Sequence, residues 1–144
     1  MLTSEILRIK GNALFTTSPD GLLEEAIGVM VDEDIGSLVV MDHGRFVGML
    51  TFREVLHTLR TRAADALTTR VRDVMVADSP RVGPDLEIDE LRRIMIEAHC
   101  RYVPVLDGAT LVGVLSFHDV AKAVLEEQSF ENRMLKGYIK NWPA

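Results

Sequence analysis

Residues 48–54 read GMLTFRE, and residues 113–119 read GVLSFHD. In each, a glycine leads through an apolar pair to a hydroxyl, an aromatic, a basic-type residue and a carboxylate. The copies lie 65 residues apart, and shifting the whole chain by that offset aligns its halves without a gap. Pro19-Asp20 falls on Pro84-Asp85, Glu25 on Glu90, Met30 on Met95, Val40 on Val105 and Asp42 on Asp107. Mismatches such as Leu23/Ile88, Glu24/Asp89 and Thr51/Ser116 preserve the chemistry. The chain holds two copies of one unit.

The order of elements in each copy is readable. Ser18 predicts a helix cap, with Pro19 at the first helical position and Asp20, Glu24 and Glu25 enriching an acidic start. Leu22, Leu23, Ala26, Ile27 and Met30 recur at helical spacing and mark a buried face. Residues 37–41 (SLVVM) read as a strand, Asp42-His43-Gly44 as a hairpin turn, and residues 45–50 as the returning strand. A stripe of Phe52, Val55, Leu56 and Leu59 predicts a second helix to about Arg60. The second copy predicts a helix from Pro84, a strand at 103–106, a turn at Asp107-Gly108, a strand at 110–115 and a helix from Phe117 to about Glu127. Pro104 lacks a ladder donor and places its strand at an edge or at its start. Residues 57–73, carrying Arg60, Arg62, Arg70 and Arg72, read as a helix end and a connecting loop. Phe130, Met134, Leu135, Tyr138 and Ile139 predict a final amphipathic helix.

The expected organisation is an extension at 1–13, a first unit at 14–62, a linker at 63–76, a second unit at 77–127, and a helix and tail at 128–144. Neither unit, at about 60 residues, buries much surface alone, so the two are expected to pack as one α/β (α+β) module.

The 144 residues are 47% hydrophobic and 26% charged, an ordinary globular balance. A net charge of −6 argues against nucleic acid as the main partner, which calls for a basic face. The opening residues lack a signal-peptide pattern, and no stretch reaches the roughly 18 apolar residues of a membrane span. Cys100 is the only cysteine, so no internal disulfide can form, and a reduced cytoplasmic setting is expected. It reads as a buried apolar side chain, since a reactive thiol would need a base and neighbouring His99 would point away from it on a strand. The histidines at 43, 57, 99 and 118 have no metal-ligand spacing, and no catalytic motif or phosphate loop is present.

A repeated helix–strand–strand–helix unit, with Val-Pro-Val-Leu-Asp before the turn at 103–107 and Gly-x-Leu-Ser/Thr after it, resembles a tandem pair of cystathionine-β-synthase (CBS) domains. The resemblance covers essentially the whole chain. It takes in Lys10-Gly11 ahead of the first unit, residues 71–75 ahead of the second, and Leu135-x-x-Tyr138-Ile139 at the end. It implies two units related by a pseudo-two-fold axis, with helical extensions at both termini. It also implies a regulatory binding module rather than an enzyme, with clefts for an adenosyl nucleotide: AMP, ADP, ATP, NAD(H) or S-adenosylmethionine. A homodimer and an effector protein that reads the signal belong to the same expectation.

On this resemblance, Ser116 and Asp119 hold a ribose. An ionised carboxylate only accepts hydrogen bonds and suits vicinal hydroxyls, while a seryl hydroxyl donates or accepts. The same spacing is what a helix cap requires, and that reading stands beside the first. Thr51 and Glu54 are the first-unit counterparts, with Glu54 one methylene longer. Arg101, Arg53, His118 and Lys10 are candidates for phosphate, and a His118 near phosphate would respond to pH around roughly 6.5. Thr17, Ser37, Leu38, Val82, Tyr102 and Val103 are candidates for the adenine pocket, and each also reads as core.

Overall fold

A computed structural model describes residues 1–11 and 14–138. Helix α1 (Thr3–Lys10) precedes the first unit, which runs β1 (Thr16–Thr17), α2 (Leu23–Glu33), β2 (Ser37–Asp42), β3 (Arg45–Thr51) and α3 (Phe52–Arg62). Short 3-10 turns at Ala63–Asp65 and Val71–Asp73 carry the chain into α4 (Ile88–Glu97), β4 (Tyr102–Asp107), β5 (Thr110–Ser116) and α5 (Phe117–Tyr138). β1 lies parallel to β2 and β2 antiparallel to β3, while β4 and β5 form a second antiparallel pair. His43 and Gly44 take positive φ angles of 50° and 80°, the two-residue hairpin geometry the turn sequence predicted. Both hairpins shift register at the same repeat position, between Val40 and Met41 and between Val105 and Leu106.

The repeat is also the pattern of the interior. Leu23, Ala26, Met30, Leu38, Val40, Leu50 and Val55 form one buried cluster, and their partners at the 65-residue offset form the other. Each cluster is completed from outside its unit. Val71, from the connecting segment, is fully buried in the first, and Ile6, on α1, is buried in the second.

These docked segments correct the predicted starts of α2 and α4. A helix beginning at Pro19 would need Leu23 N–H to donate to Pro19 O. Leu23 N–H donates instead to Thr69 O at 2.8 Å, and Pro19 O accepts from Arg72 N–H at 2.9 Å. Leu22 is held extended against Arg70, so α2 starts at Leu23, and Ser18 Oγ caps only a turn, accepting from Asp20 N–H at 3.2 Å. The second unit repeats the arrangement: Ile88 N–H donates to Met1 O, Ser4 N–H to Pro84 O, and Leu2 bridges Glu87.

One further expectation changes. The stripe expected from Phe130 continues α5 without a break, because no glycine or proline interrupts residues 117–136; Ile139 lies outside the described residues. Pro104, in the edge strand of a two-stranded sheet as predicted, has no N–H for the bond that its counterpart Val39 donates to Phe15 O. The second unit accordingly has only a single bridge, Val82 to Val105, where the first has β1.

Candidate functional site

The two repeated heptads end at strand–helix junctions, and both junctions are capped. Ser116 N–H donates to Asp119 Oδ2 at 2.8 Å, while Asp119 N–H donates to Ser116 Oγ at 3.0 Å, a reciprocal cap on α5. At the first junction, Glu54 Oε1 accepts from Thr51 N–H at 2.8 Å and from the Thr51 hydroxyl at 2.9 Å. The extra methylene of Glu54 folds its carboxylate back onto its own threonine.

The second junction carries more than a cap. α1 delivers Lys10, whose Nζ lies 2.8 Å from Asp119 Oδ2 and donates to Val114 O, also at 2.8 Å. Burial alone would raise the Asp119 carboxyl. The Lys10 ammonium and the Ser116 N–H and hydroxyl outweigh that effect, holding it below the ordinary carboxylate value. Among the described residues, Asp119 Oδ1 accepts no hydrogen bond, and the Ser116 hydroxyl lies beside that carboxylate. One acceptor, one hydroxyl and one ammonium therefore stand together.

Lys10 and Ser116, the two groups in contact with Asp119, line a cleft of about 290 Å³ between the units. Leu14, Phe15, Ile35, Val39, Tyr102 and Val114 supply apolar wall, with Gly36, Ser37, Ser116 and Lys10 between them. Gly36 makes the close fit possible: a Cβ there would collide with the Tyr102 hydroxyl, so the hydroxyl end of the ring packs against the glycine.

The sequence candidates divide. Lys10, Ser37, Tyr102 and Ser116 line the cleft, and Asp119 touches it through Lys10 and Ser116. Leu38, Val82 and Val103 are core residues instead, and Thr17 is half-buried on β1 away from the lining. Strand parity explains the division. Successive side chains face opposite sides, so Ser37 and Val39 share the cleft side of β2 while Leu38 faces the core. That alternation was the signal by which Val39 and Val114 could have been found from sequence. Arg53, Arg101 and His118 are exposed and line no part of the cleft; the Arg101 carbonyl accepts from Phe117 N–H at 2.7 Å.

Cys100 is half-buried, and burial pushes its thiol up, as suits a packing residue. Among the described residues, no group of three His, Cys, Asp or Glu side chains could hold a metal ion. None of the described helices is long and apolar enough to cross a membrane.

Known proteins share this architecture. The family model for the CBS domain matches residues 9–61 and 71–126. The solved CBS-domain containing protein ATU1752 of Agrobacterium tumefaciens has a TM-score of 0.81 and 31% identity, over 85% of this chain and 98% of that one. The CBS domain-containing protein YhcV of Bacillus subtilis is 26% identical over 114 residues, 79% of this chain and 81% of that protein. The CBS domain pair of the protein MJ0100, solved with 5′-methylthioadenosine and S-adenosyl-L-methionine, has the same fold at a TM-score of 0.77 and 20% identity. That likeness covers 88% of this chain and 98% of the other.

Proposed function

This chain belongs to the CBS domain family, and on that premise we propose that it is a regulatory module binding an adenosyl nucleotide in the cleft between its units. The observation that carries the reading is the convergence of Ser116, Asp119 and Lys10 on the polar edge of a cleft whose other walls are apolar. A nucleoside needs that division. The base is buried against Phe15, Ile35, Val39 and Tyr102, while vicinal sugar hydroxyls donate to Asp119 Oδ1 and meet the Ser116 hydroxyl. The ligand class is AMP, ADP, ATP, NAD(H) or S-adenosylmethionine, and the MJ0100 pair, which holds two adenosyl compounds, supports it. Occupancy is signalled to an effector protein through conformation or a homodimer, in a reducing cytoplasm consistent with the lone Cys100.

A second reading, a homodimerisation scaffold without ligand, draws on the caps: both carboxylates already serve their own helices. Thermal unfolding with each nucleotide separates the two. Ligand at about 100 times Kd stabilises the native state by about 2.7 kcal/mol. We expect such a shift for wild type and Glu54→Ala and its loss in Asp119→Ala. No shift with any adenosyl compound would leave the scaffold.

A further inference from the structure

On the far side of Lys10 a second cavity of about 220 Å³ opens between α1 and β5. It shares Lys10, Leu14 and Val114 with the cleft and adds Arg8 and Ser4. We propose that this cavity seats a phosphate-bearing 5′ substituent between Arg8 and Lys10, so that the ligand is an adenosyl phosphate. The inference rests on the reading above, in which the nucleoside occupies the cleft.

Charge is the first argument. Among the described residues, the lining of this cavity has two cations and no carboxylate. Lys10 gives two of its three N–H donors to Asp119 and Val114 O, leaving one. Arg8 makes no ion pair or side-chain hydrogen bond among the described residues, whereas Arg93 is held by Glu90 and Glu97. A guanidinium with its donors open is suited to bidentate phosphate recognition.

Arrangement and size point the same way. The apolar wall and Ser116 belong to the cleft, Lys10 to both cavities and Arg8 to the second alone, which matches the succession of base, ribose and phosphate in a nucleotide. The cleft alone falls just below the roughly 300 Å³ at which small-molecule sites begin, and with its neighbour it enters that range. The first unit has no such couple: matching backbone bonds set Val71 and Arg72 in the places of Thr3 and Ser4, which counts Val76 and Asp78 into the places of Arg8 and Lys10. A phosphate would meet a carboxylate there.

Isothermal titration of wild type, Arg8→Gln and Asp119→Ala with adenosine, AMP, ADP, ATP and S-adenosylmethionine, at low and high salt, tests this. ADP should bind at least about tenfold more tightly than adenosine, with the advantage shrinking as salt rises. Arg8→Gln should bring ADP down to the adenosine level and leave adenosine itself within about twofold; Arg8 is exposed, so this variant is expected to fold. Adenosine equal to ADP, ADP binding indifferent to Arg8→Gln, or tighter binding of S-adenosylmethionine than of ADP would each overturn the phosphate seat while sparing the nucleoside reading. No binding by any of the five would overturn both.

Discussion

Gly48 and Gly113 head the two heptads because another segment of chain presses against each. A Cβ on Gly48 would stand 2.8 Å from the backbone carbonyl of Val76, and one on Gly113 would stand 2.8 Å from a methyl of Leu7. A side chain can turn aside more readily than a backbone engaged in the Met49–Val76 bridge. Gly48→Ala should therefore cost about 1–3 kcal/mol in urea unfolding, with Gly113→Ala the milder of the two. Equal midpoints would contradict the difference. At Asp119 the expectation concerns protons. A carboxyl depressed in the native state contributes stability that is fully present above the unfolded value, about 3.9, and is lost as pH falls through the lower native value. Lys10→Met should raise the Asp119 pKa in an NMR titration and reduce that acid-side loss; an unmoved titration would refute the pairing. Ser116 and Asp119 were legible in the sequence because the motif sits at a strand–helix junction. For Leu38 and Val103 the sequence left pocket and core both open, and their full burial agrees with the core reading and with the two-residue period of the strand.

Among the elements, α1 has the least conspicuous sequence and the clearest structural role. Ile6 is 3% exposed inside the second unit's core, whereas Ile9 is 65% exposed on the same helix. Ile6→Ala should lower stability by about 2–5 kcal/mol, and Ile9→Ala should stay within about 0.5 kcal/mol, as read by chemical denaturation. The four hairpin strands were legible to within a residue or two because β-branched runs and a two-residue turn are local signals, whereas the two-residue β1 was missed. The starts of α2 and α4 were not legible. Ser18-Pro19 satisfies every local rule for a first helical turn, yet Pro19 O and Leu23 N–H are taken by residues about 50 positions away along the chain. No window along the sequence contains both partners.

For the molecule as a whole, exposed apolar side chains are not evenly spread. Phe52, Leu56 and Leu59 on α3, and Phe117, Leu125, Phe130, Met134 and Leu135 on α5, all stand in solvent in the single chain. A second copy is the expected cover, and Leu56→Glu combined with Leu125→Glu should turn a dimer into a monomer by light scattering. A wild-type monomer at micromolar concentration would refute that. The duplication made the pairing of the units legible, since so small a repeat cannot close its own core. The cavity beyond Lys10 was not legible, because its walls come from one terminal helix and one distant strand.

The exchange of α1 and the 69–72 segment bears on ancestry. Whatever precedes a unit in sequence seals the other unit in space, so a forebear with only one copy could not have closed itself. It would have lent its leading arm to a twin and borrowed one in return, a swapped pair later fused by gene duplication. Severing today's polypeptide near residue 66 should accordingly yield two pieces that are each incomplete alone and reunite when mixed.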